Sequence, residues 1–168
     1  AGHMLGSSSI QIAVDEGGRT KTIAFSGDLG PKGAPILKDF EPFHKADVVF
    51  LESTYGDHDH KPFRETVDEF FALVNEAVTH GGKILVPTFA VGRAQVLLLL
   101  LAWAFRNKKI PSFPVFLDSP MAIEASNIYQ HHPELFDDDL RAFMNERPLM
   151  LDLATLKTTA TADESKAI

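Results

Sequence analysis

The chain has 168 residues, 45% hydrophobic and 23% charged, with 11 glycines and 10 prolines, a composition that supports a packed core and excludes disordered, collagen-like and low-complexity material. It contains no cysteine, so disulfide frameworks, thiolate zinc sites, iron–sulfur clusters and a cysteine nucleophile are excluded, and any metal must sit on His, Asp or Glu. A formal charge of −7 lacks the broad positive field of a protein that coats nucleic acid or anionic membrane, so a polyanion would have to find a local cleft.

In chain order, Ile10-Gln11-Ile12-Ala13-Val14 alternates at period two, Asp15 to Gly18 is turn material, and Thr22 to Ser26 resumes the pattern, which predicts a hairpin. Gly27 to Pro42, rich in glycine and proline, reads as a loop. Val48 to Leu51 is apolar throughout and predicts a strand covered on both faces. From Pro62 the period becomes helical, with Phe63, Val67, Phe70, Phe71, Val74 and Val78 on one stripe and His80-Gly81-Gly82 closing it. A strand at Lys83–Val86, a helix from Gly92 to Arg106 and a strand at Pro114–Leu117 follow, an alternation that predicts a mainly parallel α/β sheet flanked by helices. Ser119-Pro120 and His132-Pro133 each open a further helix, the second carrying Leu135, Phe136, Leu140 and Phe143, and the tail after Thr161 has weak helix potential. A boundary is placed near His60. The longest apolar run, Val96 to Phe105, is about half the length that crosses a bilayer, and no basic leader opens the chain, so no membrane role and a cytoplasmic location are expected.

Three segments carry candidate chemistry. His3 sits in a glycine-flanked loop before the first strand, where a neutral imidazole can bind metal; the competing reading is a cloning remnant. Asp28, in Ser26-Gly27-Asp28-Leu29-Gly30, is placed either as a metal ligand or as the side chain of an Asx-turn. Glu52 follows the apolar strand directly, at the strand end where α/β proteins build sites, whereas His58, Asp59 and His60 read as a solvated turn. Farther on, Thr88 to Gln95 runs from a strand end through Gly92 into a helix, an arrangement that offers amides and Arg93 to a phosphate, with a carboxylate-paired Arg93 as the alternative. Asp118-Ser119-Pro120 repeats that design, with Ser119 as a plain N-cap as the alternative.

Ala-Gly-His-x-Leu-Gly-Ser, Phe-Ser-Gly-Asp-x-Gly, Leu-Glu-Ser-Thr-Tyr-Gly-Asp, Pro87-Thr88-Phe89-Ala90-Val91-Gly92-Arg93-Ala94-Gln95 and Leu117-Asp118-Ser119-Pro120-Met121-Ala122, in that order, resemble the β-CASP branch of the metallo-β-lactamase superfamily over nearly the whole chain. The resemblance implies an α/β fold in which residues 1–60 are part of a metallo-β-lactamase domain and 61–168 most of a β-CASP domain. It implies a zinc-dependent phosphodiesterase of RNA processing, with RNA as the polymer, or DNA by the same chemistry. In that scheme His3 is a ligand of one zinc, Asp28 bridges two, and Glu52 is the acid that supports a catalytic histidine; Thr88, Arg93 and Ser119, from the strand-to-helix reading, are the expected substrate contacts. The family's His-x-His-x-Asp-His signature and its two later histidine motifs are not in the sequence. The expectation is therefore a piece of such an enzyme that is inactive alone, binds zinc weakly, and self-associates through exposed apolar strand edges. A non-catalytic scaffold or RNA-binding module is the alternative.

Overall fold

The computed structural model describes residues 1–144 and 153–168; the side chain of Phe143, expected on an apolar face, lies outside the described residues. The chain divides into two units, Ala1–Asp59 with Glu134–Leu140, and His60–Pro133 with Arg141–Ile168.

In the first unit, β1 (Ile10–Glu16) and β2 (Arg19–Phe25) form the expected hairpin, with Ile12 opposite Ile23 and Ile10 opposite Phe25. Gly17 and Gly18, both at positive φ, make the tight turn that this register requires. β3 (Val48–Phe50) lies parallel to β2, with the Phe25 and Phe50 rings stacked at 4.8 Å. The resulting order is β1-β2-β3. The apolar run of β3 is not covered on both faces: Val48, Val49 and Phe50 are 48%, 59% and 56% exposed. A three-stranded sheet leaves β3 at an edge, so its continuous hydrophobicity finds no second layer among the described residues. The buried apolar side chains of this unit are Ala24, Ile36, Phe136 and Leu140. Ile36 has φ 88°, a costly conformation for a β-branched residue. The backbone N–H of Asp137 donates to its carbonyl at 3.0 Å and an isolated bridge pairs Leu37 with Phe136, which hold it there.

The second unit is helical with a short parallel sheet. α1 (Phe63–Thr79) buries Val74, half-buries the rest of its stripe except the exposed Phe63, and stacks Phe71 on Trp103 of α2 (Arg93–Arg106) at 6.0 Å. α2 buries Ala94, Gln95, Leu98, Leu99, Leu101, Ala102 and Ala104 and is the centre of the core. β4 (Val115–Leu117) leads into α3 (Pro120–Gln130), started by proline in its first turn and by Ser119 Oγ, which accepts the N–H of Ala122 at 3.2 Å. The strand expected at Lys83–Val86 does not form: Ile84, Leu85 and Val86 are exposed, with no ladder partner among the described residues. β4 pairs instead, in parallel, with β5 (Leu156–Thr158), a strand in the polar tail that periodicity does not reveal. The single helix expected after His132 is broken into a turn of 3₁₀-helix (Pro133–Leu135) and α4 (Asp138–Met144), because Phe136 enters its bridge with Leu37 and Asp137 Oδ1 then restarts the helix by accepting the N–H of Leu140 at 2.6 Å. α5 (Ala162–Lys166) is fixed by reciprocal hydrogen bonds between Thr161 and Glu164.

Candidate active site

In the first unit the ends of β2 and β3 are locked side by side. The N–H of Ser26 donates to Phe50 O at 2.9 Å, and Ser26 Oγ accepts the N–H of Glu52 at 2.9 Å. The N-terminal segment crosses this edge, with Gly2 bridged to Leu29 and the N–H of Gly30 donating to Ala1 O at 3.0 Å. So close a crossing demands glycine. A Cβ on Gly30 would stand 2.0 Å from Gly2 O, and one on Gly27, at φ 60°, 2.6 Å from Ser8 O. His3, Asp28 and Glu52, from three separate segments, are thereby brought to one end of the sheet.

Their states differ. Glu52 is half-buried; its Oε2 accepts the N–H of Thr54 at 2.9 Å and its Oε1 that of Leu29 at 3.4 Å. Bonds to Thr54 first, then to Leu29, with His3 adding a favourable charge, hold its carboxyl below the usual glutamate range. It is an ionised acceptor, suited to orienting a cation or an imidazole. Asp28 is exposed and its carboxylate makes no hydrogen bond among the described residues, so the Asx-turn alternative is not formed. His3 is exposed; its backbone N–H donates to Ser7 Oγ at 3.1 Å and its ring is free of hydrogen bonds among the described residues.

An imidazole and a carboxylate with open lone pairs are the right donor chemistry for zinc, but they are two donors where a zinc site takes at least three. Among the described residues no group of three or more His, Asp or Glu is placed to hold a metal ion. His3 and Asp28 thus fit as part of a metal site and do not complete one. His58 and Asp57 form an exposed pair at 2.6 Å, in keeping with a solvated turn.

In the second unit, Thr88 and Arg93 flank the exposed Phe89 and a half-buried turn at residues 90–92, and Ser119 caps α3. The helix starts offer less than the sequence suggests. At α2 the N–H of Gly92 donates to Gln95 Oε1 at 2.7 Å, that of Arg93 to Val91 O and that of Ala94 to Phe89 O, both at 3.2 Å. At α3 Pro120 has no N–H and Ser119 takes that of Ala122. The positive charge available is the Arg93 guanidinium itself, 5.4 Å over the Phe89 ring, with no carboxylate partner among the described residues.

Two residues escaped the sequence reading. Gln95 is fully buried; its Nε2 donates to Ala90 O at 3.1 Å, Ser126 Oγ at 3.0 Å and Ala122 O at 3.4 Å, tying the loop before α2 to α3. A glutamine three residues after a helix-start glycine has capping-box spacing, which is the signal that finds it. Asp118 accepts from Thr159 Oγ1 at 2.6 Å and Ser165 Oγ at 2.7 Å, pinning the C-terminal segment to the end of β4.

Residues 94–168, most of the second unit, match the family model of the Beta-Casp domain. Residues 94–168 are a β-CASP domain. This is an α/β domain of the metallo-β-lactamase superfamily, a metal-dependent group. Among its relatives, Ribonuclease TTHA0252 of Thermus thermophilus is 37% identical over 168 residues, covering all of this chain and 38% of that protein. An RNase J-like protein of Methanocaldococcus jannaschii is 32% identical over 150 residues, 88% of this chain and 34% of the relative. Cleavage and polyadenylation specificity factor 73 of Drosophila melanogaster is 34% identical over 144 residues, 84% of this chain and 20% of the relative. The chain spans less than two fifths of the length of each.

Proposed function

We propose that this chain is part of a zinc-dependent ribonuclease that hydrolyses phosphodiester bonds in RNA processing in the cytoplasm, residues 1–60 supplying part of its metallo-β-lactamase domain and 61–168 most of its β-CASP domain. The observation that carries the reading is the convergence of His3, Asp28 and Glu52 at one sheet end, in a chain similar along its whole length to a protein named a ribonuclease. In this reading His3 and Asp28 would hold metal together with donors from outside the described residues, Asp28 as the ligand shared between ions. Bound zinc supplies Lewis acidity toward the phosphodiester. Glu52, kept ionised by two backbone N–H groups, positions a protonated imidazole and does not itself give up a proton. Thr88, Arg93 and Ser119 are the substrate contacts of the second unit, with Arg93 as the charged one. The exposed β3 strand favours association with a second chain where nothing else covers it.

Two variants of the full-length protein test the roles. Asp28→Asn should lose metal and cleavage together. Glu52→Gln should keep metal and lose turnover by about 10²-fold or more, the scale of positioned proton transfer. Retained cleavage in both variants would overturn the assignment, and RNA binding by the native protein without any cleavage would point to the non-catalytic module.

A further inference from the structure

Phe89 is the least expected side chain of the second unit. It is apolar and aromatic, yet 70% exposed, and it is not on a free loop. Its carbonyl accepts the N–H of Ala94 at 3.2 Å, the next residue's carbonyl accepts from Gln95 Nε2 at 3.1 Å, and the N–H of Gly92 is held by Gln95 Oε1 at 2.7 Å. Gln95 is in turn fixed to Ser126 Oγ of α3 at 3.0 Å. The ring is therefore presented to solvent by a pinned backbone. The Arg93 guanidinium stands over it at 5.4 Å and has no carboxylate partner among the described residues.

We propose that Phe89 and Arg93 form a binding site for one unpaired nucleotide of the RNA, the ring stacking on the base and the guanidinium pairing with an adjacent phosphate, with Gln95 as the residue that positions both. The inference rests on the ribonuclease reading and deepens it, since it makes single-stranded RNA the polymer bound at this point. An exposed phenyl ring gains from covering a flat apolar face, and every base has one. A guanidinium beside the ring supplies the charge that a neutral apolar partner would leave unused, and its fork suits a phosphate. Bases inside a duplex are already stacked on their neighbours, so the site discriminates against double strands.

The test is equilibrium binding of the full-length protein to a short single-stranded RNA, to the same RNA carrying one abasic position moved along it, and to its duplex. The native protein should bind the single strand more tightly than the duplex, with one abasic position weakening binding by about tenfold or more, the scale of one base–aromatic stack. Phe89→Ala should cost a similar factor, lose the preference for single strands and no longer respond to the abasic position; Phe89→Trp should keep both. Arg93→Ala should weaken binding to either form and flatten its salt dependence. If Phe89→Ala leaves single-strand affinity and the abasic response unchanged while the native protein binds RNA, the stacking site is wrong and the ribonuclease reading stands. If the native protein binds no RNA at all, both fall. Phe89 is exposed and makes no core contact, and unchanged melting of Phe89→Ala keeps a folding defect from mimicking the effect.

Discussion

Replacing Gln95 by methionine keeps the volume of a fully buried side chain and removes its hydrogen-bonding ends. Ser126 Oγ keeps a partner, because it also donates to Ala122 O at 2.8 Å. The N–H of Gly92 and the carbonyl of Ala90 lose theirs. A buried polar group left unmade costs about 1–3 kcal/mol, and two of them in a partly buried turn give an expected loss of about 2–4 kcal/mol. For a unit of about 100 residues, each kcal/mol lowers the melting temperature by about 5 °C, so Gln95→Met should melt roughly 10–20 °C below the native protein. Gln95→Ala should be worse by the cost of the cavity it leaves. The chain has one tryptophan, Trp103, on α2 itself and stacked on Phe71, so urea or thermal unfolding followed by its fluorescence reads the right unit. A Gln95→Met protein as stable as the native one, to within about 0.5 kcal/mol of the measured unfolding free energy, would mean that water or a relaxed turn satisfies these groups and that Gln95 does not set the geometry of Phe89 and Arg93.

Gly30→Ala should force the N-terminal segment off the sheet end, since its Cβ would meet Gly2 O at 2.0 Å; loss of the slow exchange of the residue-30 amide, now donated to Ala1 O, with an alanine variant at Gly82, where a Cβ meets only ordinary contacts, as the comparison, checks it. Asp118 is held below the usual aspartate range first by Thr159 and then by Ser165, so its contribution is fully present above the unfolded value of about 3.9 and is lost as pH falls through the lower folded value. Amide protection in β5 and α5, corrected for intrinsic rates, should therefore drop below about pH 4 in the native protein and be low at all pH in Asp118→Asn; a native profile flat down to pH 2 would refute the tether.

The elements legible in advance were those whose periodicity is carried by their own residues: the hairpin, α1, α2 and the proline-started α3. What failed was pairing. Lys83–Val86 has the composition of a strand and no ladder partner among the described residues, whereas Leu156–Thr158, in a polar tail, has a partner in β4 and becomes a strand through it. Composition says what a segment would do if accompanied, and the company is set by contacts far along the chain. The site shows the same division. His3, Asp28 and Glu52 were visible as residue types beside glycines and strand ends, because metal and proton chemistry uses few side chains. Asp118 acts through hydroxyl partners that no local pattern names, Gln95 through a buried network of which only its capping-box spacing from Gly92 is legible, and the amides at the start of α2 were spoken for by Gln95, Val91 and Phe89.

The segment Glu134–Leu140 belongs to the first unit although the chain reaches it only after most of the second. Lys38 Nζ donates to Glu134 O at 2.8 Å across a separation of 96 residues, and the Leu37–Phe136 bridge and the Asp137 N–H on Ile36 O brace the strained Ile36. At a synthesis rate of about 5–20 residues per second, the loop around Ile36 waits about 5–20 seconds on the ribosome for the residues that complete it. During that interval its apolar pocket is open and its left-handed isoleucine has nothing to hold it. The hairpin can form early, but the first unit finishes late, and a nascent chain stalled between Asp59 and Glu134 would carry an unsealed core for any holdase to grip.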